Sequence, residues 1–106
     1  MRDHRPGLAL LSLEGKRALV TGAGGGLGRQ MALGLAEAGA DLVICGRRAD
    51  ALERSAELIR AFGGEVLTVP ADITVEADVV RLGEATGEID ILLNNAGIGP
   101  NQHWQD

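Results

Sequence analysis

Thr21-Gly22-Ala23-Gly24-Gly25-Gly26-Leu27-Gly28 is the most informative stretch of this 106-residue chain, because its five glycines fall within seven positions. Glycine loses more conformational freedom on folding than any other residue, so such a cluster indicates a specific need. A sharp turn requires positive φ angles, and close approach of a bulky anion to the backbone leaves no room for β-carbons. The stretch therefore predicts a turn that binds phosphate groups.

The flanking residues predict a strand before this turn and a helix after it. The run 18–20 is apolar, and Leu27, Met31, Leu35 and Ala38 recur at helical spacing. A strand, a glycine turn and a helix in this order form the context of a dinucleotide-phosphate loop, in which the free N–H groups of the helix N-terminus bind a pyrophosphate. A flexible glycine linker is the alternative interpretation, but linkers lack this periodicity.

The glycine spacing fits two patterns. Gly22, Gly26 and Gly28 match T-G-x-x-x-G-x-G, whereas Gly22, Gly25 and Gly28 match T-G-x-x-G-x-x-G. The strict G-x-G-x-x-G fingerprint is not met, because Leu27 stands where its third glycine would be. By itself, the turn indicates nucleotide phosphates and nothing finer.

Composition narrows the class of protein. A net charge of −5 argues against nonspecific binding to nucleic acid or to an anionic membrane, which require basic surfaces. No apolar run approaches membrane-spanning length, and the short run 8–13 lacks the features of a signal peptide. The single cysteine, Cys45, cannot form an internal disulfide and predicts a cytoplasmic location. No cluster of metal ligands stands out, so we expect no metal site.

A second informative site follows the apolar run 41–45, which predicts a parallel strand covered on both faces. About 20 residues past the glycine turn, NAD-binding folds place an acid for the ribose 2′-hydroxyl. Gly46, Arg47 and Arg48 stand there instead. A guanidinium pairs with a phosphate that an acid would repel, so these residues favour NADP over NAD. Arg47 is preferred because it is nearer the strand end. The alternative interpretation is that both arginines are ordinary solvated charges of a loop.

The remaining patterns predict an alternation of strands and helices. We expect strands over 17–21, 41–45, 65–69 and 89–94, and helices over 26–38, 50–62 and 75–85. Gly39 and Gly87 are expected to end the first and third helices. Asp50 and Glu53 resemble an N-cap and its reciprocal partner. The side chains expected to be buried are Leu52, Ala56 and Ile59 on the second helix and Ile91, Leu92 and Leu93 on the fourth strand. The alternation predicts an α/β, Rossmann-like three-layer sandwich over residues 13–106, after an N-terminal arm over 1–12. Its partial parallel sheet should have the order 3-2-1-4, with helices on both faces.

Two further elements lie at the ends of predicted strands. Asp72-Ile73 follows the third strand, where open α/β sheets bind ligands. Asp72 is equally suited to accept a hydrogen bond from an adenine amino group and to cap the next turn. Asn94-Asn95-Ala96-Gly97 closes the fourth strand, where asparagine side chains can bridge backbone groups. Gly97 would let the backbone pass close to a ligand.

Together, T-G-x-x-x-G-x-G, Asp72-Ile73 and Asn94-Asn95-Ala96-Gly97, in this order, resemble the N-terminal half of a short-chain dehydrogenase/reductase of the single-domain branch. The resemblance covers about residues 12–100. It implies that Gly22, Gly26 and Gly28 hold the pyrophosphate, that Arg47 binds the 2′-phosphate and that Asp72 contacts adenine. It also implies that both asparagines tie the central strand together and border the cofactor. The expected cofactor-binding residues are Thr21, Gly22, Gly24, Gly25, Gly26, Leu27, Gly28, Arg47, Arg48, Asp72, Ile73, Asn94, Asn95, Ala96 and Gly97.

The resemblance further implies a homo-oligomeric enzyme that moves a hydride between NADP(H) and a small ketone or secondary alcohol. Family members use a serine and a Tyr-x-x-x-Lys pair in their C-terminal half. The 106 residues contain no tyrosine, Lys16 precedes the first strand, and Ser12 and Ser55 lie elsewhere. No catalytic residue is therefore assigned, and we expect these residues alone to be inactive. A stand-alone nucleotide-binding or interaction module is a second hypothesis. A methyltransferase is a third, disfavoured by Arg47 and Arg48.

Overall fold

The computed structural model describes residues 12–95, and the structural statements below concern that part of the chain. Its strands and helices alternate along the sequence. In chain order they are β1 (Arg17–Thr21), α1 (Gly26–Glu37), β2 (Asp41–Gly46), α2 (Ala49–Arg60), β3 (Val66–Pro70), α3 (Glu76–Thr86) and β4 (Ile91–Asn94). Each element overlaps its predicted range, with ends that coincide or differ by at most two residues. Most of the predicted N-terminal arm, residues 1–11, lies outside the described residues.

The four strands form one parallel sheet in the order β3-β2-β1-β4, as predicted. β1 is an inner strand: Thr21, its last residue, aligns with Cys45 of β2 and with Asn94 of β4. In a parallel sheet the carboxyl ends of all strands lie at the same edge. The glycine turn after β1, Arg47 after β2, and the asparagines at the end of β4 (Asn94 within the strand and Asn95 just after it) are therefore brought to one edge of the sheet.

Alternate strand residues face two separate cores, which confirms the three-layer arrangement. On one face, α1 and α2 pack against β1 and β2, and Leu52, Ala56 and Ile59 are fully buried there, as expected. On the opposite face, Leu82 of α3 packs with Leu19 of β1. None of the helices between residues 12 and 95 is long and apolar enough to cross a membrane.

The start of α2 differs from the prediction. The N-cap residue is Arg48, and no side chain caps the helix. Asp50 lies inside the first turn, where its carboxylate accepts a hydrogen bond of 2.9 Å from the amide of Ala51. Glu53 forms an ion pair of 2.8 Å with Arg60 rather than bonding to the N-cap amide. The predicted capping pair was wrong because β2 continues through Gly46 and α2 begins soon after it, which brings Asp50 within the helix.

The burial of β4 also differs from the prediction. Ile91 and Leu93 are half-buried, but Leu92 is 56% exposed. Leu92 aligns with the buried Leu19 of β1 on the face that α3 covers. Within the described residues β4 is an edge strand, paired on one side only. An apolar sequence run shows that a strand can be buried, whereas the neighbours that bury it are set by the rest of the fold.

Candidate functional site

The glycine turn connects β1 to α1 at the carboxyl edge of the sheet. Gly22 and Gly26 adopt positive φ angles of 65° and 57°, which a residue with a β-carbon rarely adopts. α1 begins at Gly26, and its N-cap, Gly25, has no side chain to bond the first amides of the helix. Amide groups at the start of α1 are therefore available to an external anion.

Gly28 allows α1 to lie directly against the turn. A β-carbon at this position would overlap the carbonyl oxygen of Gly22 and lie 2.9 Å from Nδ2 of Asn95. Gly24 is also tightly placed, since its β-carbon would lie 3.2 Å from Cβ of Ala51 on α2. By contrast, a β-carbon at Gly25 would meet no atom of residues 12–95 within 4 Å. The turn is thus packed against protein on one side and borders open space at Gly25.

The asparagines of β4 are tied to the end of β1. The hydroxyl of Thr21 donates to Oδ1 of Asn94 at 2.7 Å and accepts from the amide of Asn95 at 2.9 Å. Nδ2 of Asn95 donates to the carbonyl of Gly22 at 3.4 Å, and its buried Oδ1 has no partner within residues 12–95. This arrangement bridges two strands, whereas a contact of either asparagine with a cofactor stays a prediction. Ala96 and Gly97 lie outside the described residues.

A cavity of about 470 Å³ lies between the glycine turn and the start of α2. Within residues 12–95, four arginines line it: one from α1, two from the connection after β2 and one from α2. The lining residues in this part of the chain are Gly22, Gly24, Gly25, Arg29, Gly46, Arg47, Arg48, Ala51 and Arg54. The structure therefore brings the glycine turn together with Gly46, Arg47 and Arg48, the second informative site of the sequence. Of the predicted residues of the turn, Thr21, Gly26, Leu27 and Gly28 are not among the lining residues, and Leu27 is exposed on the first turn of α1.

Arg29 and Ser55 are site residues that the sequence analysis missed. Nε of Arg29 donates to Oγ of Ser55 at 2.8 Å, and Nη2 of Arg29 donates to the carbonyl of Gly24 at 2.8 Å. Ser55 is fully buried and donates to the carbonyl of Ala23 at 2.7 Å. A usable signal was present, because Ser55 lies among Leu52, Ala56 and Ile59 on the apolar face of α2, and a buried hydroxyl needs a partner.

Asp72 caps the turn that follows β3. Its Oδ1 accepts hydrogen bonds from the hydroxyl and the amide of Thr74, at 2.6 and 2.9 Å. The bond from the Thr74 hydroxyl, and to a smaller extent the bond from the Thr74 amide, hold the pKa of the Asp72 carboxyl below its ordinary value. Ile73 is partly buried in the core that α3 covers, and neither residue lines the arginine cavity. The capping role of Asp72 is thus observed, and its contact with adenine stays a prediction.

Cys45 is 1% exposed, and burial raises the pKa of its thiol. We expect iodoacetamide to alkylate Cys45 at least about tenfold more slowly in the folded chain at pH 8 than in urea at the same pH, because the thiolate is the nucleophile.

The raised pKa of Cys45 also predicts a pH dependence of the free energy of unfolding. As the pH rises through the ordinary thiol pKa of about 8.5, the unfolded chain loses the thiol proton and the folded chain keeps it, so the free energy of unfolding should fall. Mass spectrometry of the alkylated chain and urea midpoints at two pH values would measure both effects.

A Cys45→Ser/Ser12→Cys variant, which moves the thiol to an exposed position, is the matched control and should react rapidly in either state. Rapid alkylation of Cys45 itself in native buffer would contradict the buried, protonated thiol.

Sequence and structure comparisons agree on one family. A sequence model described as short chain dehydrogenase matches residues 16–106. The chain is 47% identical over 90 residues to a rhamnolipids biosynthesis 3-oxoacyl-(acyl-carrier-protein) reductase of Pseudomonas aeruginosa, over 81% of this chain and 35% of that protein. The chain therefore spans about a third of the length of the curated relatives it matches.

Two similar solved structures contain cofactors. The Pseudomonas aeruginosa RhlG/NADP active-site complex has a TM-score of 0.75 and 43% identity, over 90% of this chain and 40% of that one. A 7 alpha-hydroxysteroid dehydrogenase complexed with NADH and 7-oxo glycochenodeoxycholic acid has a TM-score of 0.75 and 37% identity, over 77% of this chain and 34% of that one. With its glycine turn, parallel sheet and paired asparagines, the chain belongs to the short-chain dehydrogenase family, as its motifs predicted.

Proposed function

We propose that these residues form the NADP(H)-binding part of an oxidoreductase that interconverts a ketone and a secondary alcohol by hydride transfer. The observation that carries the proposal is the cavity in which four arginines face the glycine turn. The chain as a whole has a net charge of −5. Within residues 12–95, Arg48 and Arg54 pair with Asp50, whereas the other two arginines of the cavity have no ion pair with a carboxylate. A positive cavity on a negative protein favours an anionic ligand.

The residues present fit a phosphorylated dinucleotide. The diphosphate would be bound by the amides of the glycine turn and the start of α1, where the helix dipole also favours negative charge. The open space at Gly25 would let the diphosphate approach the backbone. Asp72 would accept a hydrogen bond from the adenine amino group, and Asn94 and Asn95 would border the cofactor. When bound, NADPH supplies the hydride.

The choice between NADP and NAD must come from this chain's own residues, because similar structures contain either cofactor. Gly46 occupies the end of β2, where an acid would bind the ribose 2′-hydroxyl of NAD. Arg47 and Arg48 follow it and line the cavity. Guanidinium groups bind a 2′-phosphate through charge-assisted hydrogen bonds, so we infer NADP as the cofactor and NAD as the second choice.

We further propose that proton transfer to the substrate uses residues outside this chain. The 106 residues contain no tyrosine, and their single lysine, Lys16, lies before β1, at the opposite end of that strand from the cavity. The complete enzyme would act on a small carbonyl compound or alcohol and form a homo-oligomer. The single buried cysteine supports a cytoplasmic location.

A titration of the 106-residue chain, shown by circular dichroism to be folded, tests the proposal. We expect NADPH to bind at least about tenfold more tightly than either NADH or AMP, because only NADPH presents both the diphosphate and the 2′-phosphate. We also expect no NADPH oxidation when ketones are added, which absorbance at the nicotinamide band would measure. Equal affinities for NADPH and AMP would contradict the proposed site, and measurable turnover would contradict the assignment of catalysis to residues elsewhere.

A stand-alone nucleotide-binding or interaction module remains the second candidate. The exposed Leu92 on the edge strand β4 favours it, since such an edge can pair with another chain. A stable, monodisperse chain that NADP protects against thermal unfolding would support the module. An insoluble chain would support the view that these residues require the remainder of a longer enzyme. Membership in the short-chain dehydrogenase family sets the methyltransferase hypothesis aside.

A further inference from the structure

Two consecutive carbonyl groups of the glycine turn are held by side chains from the helices. Ser55 of α2 donates to the carbonyl of Ala23 at 2.7 Å, and Arg29 of α1 donates to the carbonyl of Gly24 at 2.8 Å. The two side chains also bond to each other, from Nε of Arg29 to Oγ of Ser55 at 2.8 Å. A single network therefore connects both helices to two adjacent peptide groups of the turn.

The orientation of a carbonyl group also sets the orientation of the next amide. In a trans peptide, C=O of one residue and N–H of the following residue point in opposite directions, and residues 12–95 contain no cis peptide. Asn95 and the turn already show this effect. The carbonyl of Gly22 accepts from Asn95, and the amide of Ala23 donates in the opposite direction, to the carbonyl of Cys45 at 3.0 Å.

The same geometry applied to the next two peptide groups directs the amides of Gly24 and Gly25 away from Ser55 and Arg29. Within residues 12–95, neither amide donates to a backbone oxygen outside the helices and strands. Both glycines line the arginine cavity, and Gly25 borders open space. The turn thus presents two oriented amide donors that have no backbone partner in the described part of the fold.

The charge of Arg29 is a second, independent observation. Arg29 lies in the first turn of α1, where the helix dipole disfavours a cation. Its three hydrogen bonds go to a hydroxyl and two carbonyl groups, and within residues 12–95 it has no ion pair with a carboxylate. An arginine at this position adds to a positive potential that an incoming anion would offset.

We propose that Arg29 and Ser55 are positioning residues that orient the peptide groups of the glycine turn so that the amides of Gly24 and Gly25 face the diphosphate of the nucleotide. This inference rests on the proposed nucleotide-binding function. It assigns to the two side chains a role in affinity for one part of the ligand, beyond holding α1 and α2 together.

The test compares ligands that share adenosine but differ in the diphosphate. Ser55→Ala and Arg29→Gln are expected to weaken NADPH and ADP binding by about tenfold, which corresponds to about 1.4 kcal/mol. Binding of 2′-AMP, which has the 2′-phosphate and no diphosphate, should change by less than about twofold in Ser55→Ala. In Arg29→Gln, 2′-AMP should lose less affinity than ADP does, because the lost charge weakens both anions but only ADP also loses the oriented amides. Arg29→Lys keeps the positive charge but loses the planar guanidinium group and its fixed N–H donors. It should therefore recover less than half of the binding free energy for ADP that Arg29→Gln loses.

Thr86→Val is the matched control for loss of a buried hydroxyl. Thr86 is 3% exposed and bonds the carbonyl of Leu82 on α3, across the sheet from the cavity. It should lower the thermal midpoint as Ser55→Ala does and leave every nucleotide affinity unchanged. If Ser55→Ala does not fold, Arg29→Gln carries the test, since Arg29 is only half-buried.

Two results would overturn the inference alone: equal losses for ADP and 2′-AMP, or no loss for either. A folded original chain that binds no nucleotide would overturn the proposed function and this inference together.

Discussion

Gly28→Ala is expected to destabilise the fold by about 3 kcal/mol or more, at the upper end of what overpacking by one methyl group costs. The added β-carbon would overlap the carbonyl oxygen of Gly22, which belongs to the backbone and cannot move aside by rotating a side chain. That carbonyl is also held by Asn95. The glycine turn would have to separate from α1, and nucleotide binding would be lost with it.

Gly34→Ala supplies a matched control on the same helix. A β-carbon at Gly34 meets nothing within 4 Å, and alanine is favoured over glycine in helix interiors by about 1 kcal/mol. The same chemical change should therefore lower stability at position 28 and raise it at position 34. Urea unfolding followed by circular dichroism would measure both. A Gly28→Ala chain as stable as the original would show that the turn does not pack against α1 as described.

Arg47→Gln is expected to reduce affinity for NADPH by about 10- to 100-fold, because one charge-assisted hydrogen bond contributes roughly 1.5–3 kcal/mol. Affinity for NADH should change by less than about twofold, since NADH has no 2′-phosphate for the guanidinium to bind. The preference for NADPH should also weaken in high salt, because Arg47 is exposed and its charge is screened. Fluorescence titration with each nucleotide measures these changes.

Arg60→Gln is the control for loss of a positive charge. Arg60 lies in the last turn of α2, away from the cavity, where it pairs with Glu53. Its replacement should leave both affinities unchanged. A variant at position 47 that weakens NADPH and NADH equally would indicate general attraction of anions, and the Arg48→Gln variant would then be the next candidate for reading the phosphate.

Local patterns were sufficient for the strands and the helices, and the crossover rules of doubly wound α/β folds then supplied the strand order. Gly39 and Gly87 have positive φ angles just beyond the ends of α1 and α3, where the sequence predicted helix stops. Leu52, Ala56 and Ile59 are buried at the helical spacing that predicted them. These features could be read from the sequence because each depends on residues within one or two turns of each other.

The errors arose where a residue's position or burial is set by neighbouring elements of the fold and not by its own segment. Leu92 is exposed because β4 is an edge strand within the described residues, which the apolar run 91–93 does not reveal. Asp50 failed as an N-cap because the end of β2 sets where α2 begins. Neither outcome depends on the hydrophobic pattern of the segment itself.

The same distinction, between what local sequence predicts and what depends on the tertiary structure, applies to the candidate site. Sequence alone was enough to assign the short-chain dehydrogenase family and the parallel α/β fold, and to nominate the glycines and arginines that we propose bind phosphate, because spacing and backbone freedom are local properties. The network of Arg29, Ser55 and the turn carbonyls, and the link from Thr21 to Asn94, became visible only in the tertiary structure. These hydrogen bonds join residues 26 and 73 positions apart, and such contacts form only when the parallel crossovers bring separate strand ends to one edge of the sheet.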